Sequence, residues 1–324
     1  MATPQVELRS GGAGVPQVGF GLWKVPNDKT ADVVYSAIVN GYRHFDSACD
    51  YGNEKETGEG IRRALDEGIV TREELFITTK LWATFHAKEH VRPAAERQLA
   101  DLGLEYVDLY MIHFPVPLEY VDPSSRYPPG WSAYADKWES KPSNVSIAET
   151  YAAMEQLVDD GLVKSLGVCN FQGSLLLDLT RTARIQPAVL QIEYHPYLVQ
   201  DTLVTLCKDL GIAVTGYSSF GPTSYRDMGS PKGFNTPLLL ENGTVTALAS
   251  KHQKTAAQVL LRWATQKGLV VIPKAATDSR QKENLDIFSF NLEDEEIKQI
   301  DSLDKGLRFN DPGEYLNPPQ RIFA

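Results

Sequence analysis

Two short runs, Leu75-Phe-Ile-Thr-Thr-Lys80 and Val107-Asp-Leu-Tyr-Met-Ile-His113, with a helix-like segment over 88–101 between them, decide the fold. Both runs are too apolar to have a wet face. Strands of that kind are buried on both sides, as in a parallel sheet covered by helices. The same unit repeats outward in both directions. Candidate strands are Gln17–Leu22, Arg43–Asp46, Leu75–Thr79, Val107–His113, Ser165–Val168, Val189–Ile192, Ala213–Tyr217 and Leu269–Ile272. Helix-like segments fall near 29–40, 57–67, 88–101, 147–160, 173–183, 200–209, 255–267 and 279–287. Ala257-Gln-Val-Leu-Leu-Arg-Trp-Ala264 carries the apolar stripe of a packed helix. No linker divides the chain. Eight βα units over 1–324 predict an α/β fold, a single (β/α)8 TIM barrel domain with long loops and a tail over the active-site face. A doubly wound sheet would carry Gly-x-Gly-x-x-Gly after its first strand. Gly19-Phe-Gly21 is followed by Leu-Trp-Lys, and Gly11-Gly-Ala-Gly14 reads as a turn before that strand.

Composition narrows the partners. The net charge is −10, from 42 acidic and 32 basic side chains, with no basic stripe. This argues against nucleic acid or an anionic membrane as partner. Three cysteines make no disulfide framework and fit a reducing compartment. The amino terminus has no apolar run of a signal peptide, and no stretch reaches the length of a membrane span. A cytoplasmic protein is expected, as monomer or homodimer.

Three strands each deliver one ionisable group at the carboxyl end, where barrel active sites sit: Asp46, Lys80 and His113. Tyr51 follows five residues after Asp46, and Asn170 and Gln191 arrive at the same mouth. A free phenol is too weak an acid to be useful at neutral pH. An adjacent ammonium stabilises the phenolate and lowers that pKa. Asp46 would hold Lys80 charged, and His113 would hold the substrate oxygen. Tyr51 is then a general acid for an oxygen that is gaining negative charge. Taken singly, Asp46 and Lys80 read as a structural ion pair, Tyr51 as a rim residue and His113 as a core histidine. A metal centre is the competing use of His44-Phe-Asp46. Of six histidines only His113 clearly ends a strand, and His86 and His90 read as a solvated helix face, so the ligand count fails. No metal is assigned. Long connections at 114–146 and 218–243, and the tail from about 305, are expected to be functional.

Gly41-Tyr-Arg-His-Phe-Asp-Ser-Ala-Cys-Asp-Tyr-Gly-Asn-Glu-Lys-Glu-Thr-Gly58 resembles the first signature of the aldo-keto reductases. Gly167-Val-Cys-Asn-Phe171 and Val271-Ile-Pro-Lys-Ala-Ala-Thr-Asp-Ser-Arg280 resemble the second and third. Arg126-Tyr-Pro-Pro-Gly-Trp131, Tyr217-Ser-Ser-Phe-Gly-Pro222 and Gly306-Leu-Arg-Phe-Asn-Asp-Pro312 narrow the resemblance to fungal xylose reductases. It implies NADPH bound across the barrel mouth, with Tyr51, Lys80, Asp46 and His113 as the catalytic tetrad. It places Asn170 and Gln191 on the nicotinamide amide and Tyr217 against the nicotinamide ring. Ser218, Ser219, Phe220 and Gly221 match the loop over the pyrophosphate. Lys274 and Arg280 match the surroundings of the 2′-phosphate, Glu283 and Asn284 those of the adenine, and Asp227 a contact to the ribose. Trp23 and Ile272 also fall to the cofactor. The family's usual serine and asparagine after this lysine are Ala275 and Ala276 here, so NADH use is expected beside NADPH. Cys169 stands where a serine is usual.

The resemblance implies a substrate site of Trp23, Trp82, His113 and Phe114 with polar contacts from Asp50 and Asn310. Carboxylate and amide groups suit an open-chain aldose, D-xylose or L-arabinose. The alternatives are a general aldehyde, glycerol or uronate reductase and, in another class, a nucleotide-sensing subunit.

Overall fold

The computed structural model of the chain describes residues 3–11, 14–131 and 139–324. Its main sheet has eight parallel strands in sequential order: β1 (Phe20–Gly21), β2 (His44–Asp46), β3 (Phe76–Leu81), β4 (Val107–Ile112), β5 (Val163–Cys169), β6 (Val189–Glu193), β7 (Ala213–Tyr217) and β8 (Val270–Val271). A parallel bridge between Val18 and Val271 joins the last strand to the first. The amide of Gly19 donates to Val271 O and that of Val271 to Gln17 O, so the sheet closes on itself. The predicted first strand, Gln17–Leu22, is thus regular only over Phe20–Gly21, although Gln17 and Gly19 still pair. A Cβ on Gly21 would lie 2.4 Å from Ile272 O, so the seam needs glycine there.

Helices Asn27–Val39, Glu54–Asp66, Lys88–Leu102, Ile147–Asp159, Gly173–Thr182, Asp201–Asp209, Ala256–Gln266 and Asp278–Leu285 follow the eight strands in turn. Local chemistry sets several starts. Ser146 accepts from the Glu149 amide, and Thr255 and Gln258 form a reciprocal capping box. Tyr194 stacks on Trp263 at 4.9 Å, seating helix Ala256–Gln266 against the barrel. One apolar core lies between sheet and helices. A second holds Phe76, Leu109, Met111, Val189 and Val270 with Leu8 and Val15. Val15 belongs to, and Leu8 follows the first strand of, a hairpin of Gln5–Val6 with Val15–Pro16, which plugs the amino-terminal end of the barrel. Residues 12–13 of the Gly11–Gly14 turn lie outside the described residues.

The structure differs from the sequence reading in its connections. The 218–243 segment holds short helices at Thr223–Arg226 and Pro231–Asn235, and a further helix, Gly243–His252, follows it. Asn242 caps that helix through the Thr244 amide. Helix Asp294–Asp301 precedes the tail, which has one turn at Pro312–Tyr315. His86 lies before helix Lys88–Leu102 and is fully buried, not on a solvated face. Burial pushes its pKa down to about 3. Residues 132–138 of the 114–146 connection lie outside the described residues. The rest is tied down by Glu119 N to Lys141 O and, to the tail, by Ser140 N to Asn317 O. Among the described residues, no helix is long and apolar enough to cross a membrane.

Candidate active site

The carboxyl ends of β2, β3 and β6 and the turn after β2 meet around one ammonium. Lys80 Nζ donates to Asp46 Oδ1 at 2.6 Å, to Ser47 O at 2.7 Å and to the Tyr51 hydroxyl at 3.1 Å. The other oxygen of Asp46 accepts from Gln191 Nε2 at 2.7 Å. Lys80 and Asp46 are almost wholly shielded from solvent. Burial by itself would discharge the lysine, but Asp46 and then Tyr51 outweigh it and hold its pKa above the ordinary value. Tyr51 shows the reverse balance. Burial raises its pKa and the Lys80 charge only partly offsets this, so the phenol keeps its proton. The expectation that Lys80 lowers this pKa is met in sign for the pair but not for the net result, because the tyrosine is too deeply placed.

His113 packs edge-on to Tyr51 and to Trp82. Burial, reinforced by Lys80, depresses its pKa well below the usual range, so the imidazole is neutral. Asn170 sits at φ 63°, a left-handed position that asparagine tolerates. It donates to His113 O at 2.9 Å and accepts from the Tyr217 hydroxyl at 2.7 Å. Ser218, the next residue after β7, is also left-handed at φ 56°. Non-glycine residues in this region concentrate at functional sites.

These groups open into a cavity of 1240 Å³. Asp46, Tyr51 and His113 line it, with Trp23, Asp50, Trp82, Phe114 and Asn310. Asn170, Gln191, Tyr217, Ser218, Ser219, Phe220, Asp227, Ile272, Lys274, Arg280, Glu283 and Asn284 line it too. Two of the sequence-predicted residues are not on the wall. Lys80 is buried beneath Tyr51, and Gly221 packs under the loop, where a Cβ would meet Leu239 at 2.7 Å. Ala275 is buried and Ala276 exposed, and neither lines the cavity. Cys169 is buried, with its sulfur 3.8 Å from that of Met111.

Several residues on the wall or bonded to it were not assigned from sequence. Lys24 Nζ donates to Ser224 O at 2.6 Å and lies 3.6 Å from Asp227, strapping the Thr223–Arg226 turn to the segment after β1. Asp227 is therefore engaged by a lysine, not free for a ribose alone. Trp131 packs on Trp82 at 4.5 Å, and Tyr315 donates to Asn310 Oδ1 at 2.9 Å. Thr255, Ala256 and Ala257 line the cavity, and Thr255 donates to Glu283 at 2.6 Å. For Trp131 the sequence signal was the aromatic content of the 114–146 connection.

Comparison with known proteins gives the site its family. The model of the aldo/keto reductase family matches residues 11–305. The chain belongs to that family. This aldo-keto reductase is 57% identical over 317 residues to an NAD(P)H-dependent D-xylose reductase of Pyricularia oryzae, covering 98% of each chain. It is 56% identical over 318 residues to a probable NAD(P)H-dependent D-xylose reductase of Emericella nidulans, covering 98% of this chain and 99% of the other. Among solved structures it resembles a Bombyx mori aldo-keto reductase in complex with NADP. The TM-score is 0.86 with 37% identity, over 99% of this chain and 100% of that one. The chain is thus an oxidoreductase.

The cavity fits a dinucleotide phosphate. Its lining includes the exposed cations Lys274 and Arg280, the small side chains of Ser218 and Ser219 and the amides of Asn170 and Gln191. Among the described residues no cluster of side chains could hold a metal.

Proposed function

We propose that this single-barrel, cytoplasmic enzyme reduces the open-chain aldehyde of an aldose with NADPH, D-xylose to xylitol first and L-arabinose to L-arabinitol beside it, in pentose catabolism. The observation that carries the reading is the Tyr51 hydroxyl, 3.1 Å from a buried ammonium, on a wall shared with Asp50 and Asn310.

When bound, the nicotinamide supplies the hydride. Lys274 and Arg280 would hold the 2′-phosphate, Asn170 and Gln191 would orient the carboxamide, and Tyr217 would back the ring. Ser218 to Phe220 would lie along the pyrophosphate. Neutral His113 donates to the carbonyl oxygen and fixes it beside Tyr51. As negative charge develops on that oxygen, Tyr51 gives up its proton, and Lys80 stabilises the phenolate left behind. Asp46 keeps Lys80 charged and aimed. Trp23, Trp82 and Phe114 exclude water, while Asp50 and Asn310 take sugar hydroxyls. Lys274 and Arg280 favour NADPH, and Ala276, exposed beside them, leaves room for some NADH use.

Steady-state kinetics on D-xylose, L-arabinose and an aromatic aldehyde with NADPH and NADH test the reading. Pentose turnover with higher kcat/KM for NADPH is expected. Turnover of the aromatic aldehyde alone would replace the aldose with a general aldehyde.

A further inference from the structure

We propose that Glu193 is a positioning residue that sets sugar selectivity by clasping the carboxyl-terminal tail to the barrel. It ends β6, is fully buried and does not line the cavity. Its Oε1 accepts the amide of Phe309 at 2.9 Å, and its Oε2 accepts that of Asn310 at 2.8 Å. His195 Nε2 lies 2.9 Å from Oε1. The Nδ1 of His195 is buried with no partner, so the proton belongs on Nε2 and the ring donates to the carboxylate. Glu193 O accepts from Gln200 Nε2 at 2.6 Å, and Gln200 Oε1 accepts from Arg308 at 2.8 Å. One strand end thus holds three consecutive tail residues.

A buried carboxylate is costly unless its lone pairs are filled, and here the tail backbone fills two of them. The arrangement therefore specifies one tail position and resists sliding. What it positions is chemically pointed. Asn310 Nδ2 donates to the Tyr217 hydroxyl at 3.2 Å, and Tyr217 in turn donates to Asn170. Phe309 stacks on Tyr225 at 5.2 Å, and the Tyr225 hydroxyl is 3.0 Å from Ser218 Oγ. The tail has other ties, from Lys305 and Leu307 N to Tyr197 O, from Lys232 Nζ to Arg308 O and from Ser140 N to Asn317 O, but the amides of Phe309 and Asn310 go to Glu193. Glu193 is what places Asn310 on a rigid element at the cavity mouth.

The inference rests on Asn310 being a sugar contact, and the test separates the two claims. Glu193→Gln keeps the size but turns an NH2 toward a backbone N–H. It is expected to raise KM for D-xylose about tenfold, the loss of one charge-assisted hydrogen bond, with kcat on an aromatic aldehyde within about threefold. Adding Asn310→Ala should raise the pentose KM no further. Equal changes on both substrates, or additive ones, would overturn the proposal. In the wild-type enzyme, hydrogen exchange at the amides of Phe309 and Asn310 should be far slower than over 317–324. Equally fast exchange would overturn the clasp even if the variant does not fold. Should the wild-type enzyme ignore pentoses, the aldose reading falls and the exchange result alone decides the clasp.

Discussion

Around the cavity, Asp46, Lys80 and Gln191 hang from strands, and Asp46 bonds to the other two at 2.6–2.7 Å. A second set, Ser218 to Phe220, Asp227, Lys274 and Asn310 on connections and Arg280 in helix Asp278–Leu285, has ties that reach across the fold to Lys24, Tyr217 and Glu193. The first region is fixed by the sheet register, because Asp46, Lys80 and Gln191 are themselves paired residues of the parallel ladder. The second is fixed by side chains that grip loops. Chemistry is placed on the part that cannot move, and recognition on the part that can be altered without disturbing the barrel.

Lys80→Met should show the largest effect. The phenolate loses its counter-charge, and kcat is expected to fall about 10²–10⁴-fold. Asp46 is left buried with Gln191 as its remaining side-chain partner, so unfolding should become easier by about 3–5 kcal/mol. A variant with lost turnover but unchanged stability would show that the pair is not buried as described. Arg280→Ala probes the other region. KM for NADPH should rise about tenfold, with KM for NADH and thermal stability unchanged. Equal losses with both cofactors would place Arg280 away from the 2′-phosphate.

Asp50 offers the smallest contrast. Burial pushes its pKa up to about 7. Below that pH it is a neutral acid, and above it an anion, the stronger acceptor for sugar hydroxyls. KM for D-xylose should therefore fall roughly threefold to tenfold as pH rises through 7, with an aromatic aldehyde unaffected. Asp50→Asn should flatten the profile. A pH-dependent pentose KM that survives this change would assign the titration elsewhere.

The same division explains what could be read from sequence. The strand ends were legible because apolar runs of period-free composition stop at Asp46, Lys80 and His113, and a barrel must converge them. Lys24 was not, since its role comes from a 3.6 Å approach to Asp227 across about 200 residues of chain. Glu193 looked like a strand residue beside Gln191, and only the returning tail shows what it binds. The net rise of the Tyr51 pKa was also hidden, because proximity to lysine is visible in a motif and depth of burial is not. The helix at Gly243–His252 was missed because the long connection was read over 218–243, past its cap Asn242, and the next helix was placed only at 255–267.

The role of Tyr51 is open to one direct measurement: kcat for D-xylose with NADPH, and NADPH affinity, in Tyr51→Phe beside the wild-type enzyme. The change removes one hydroxyl and leaves the Lys80–Asp46 pair intact. Turnover is expected to drop about 10²–10⁴-fold while NADPH affinity and thermal midpoint stay as in the wild type. Turnover within about tenfold of wild type would mean that another group protonates the substrate oxygen, and the tetrad assignment would be wrong.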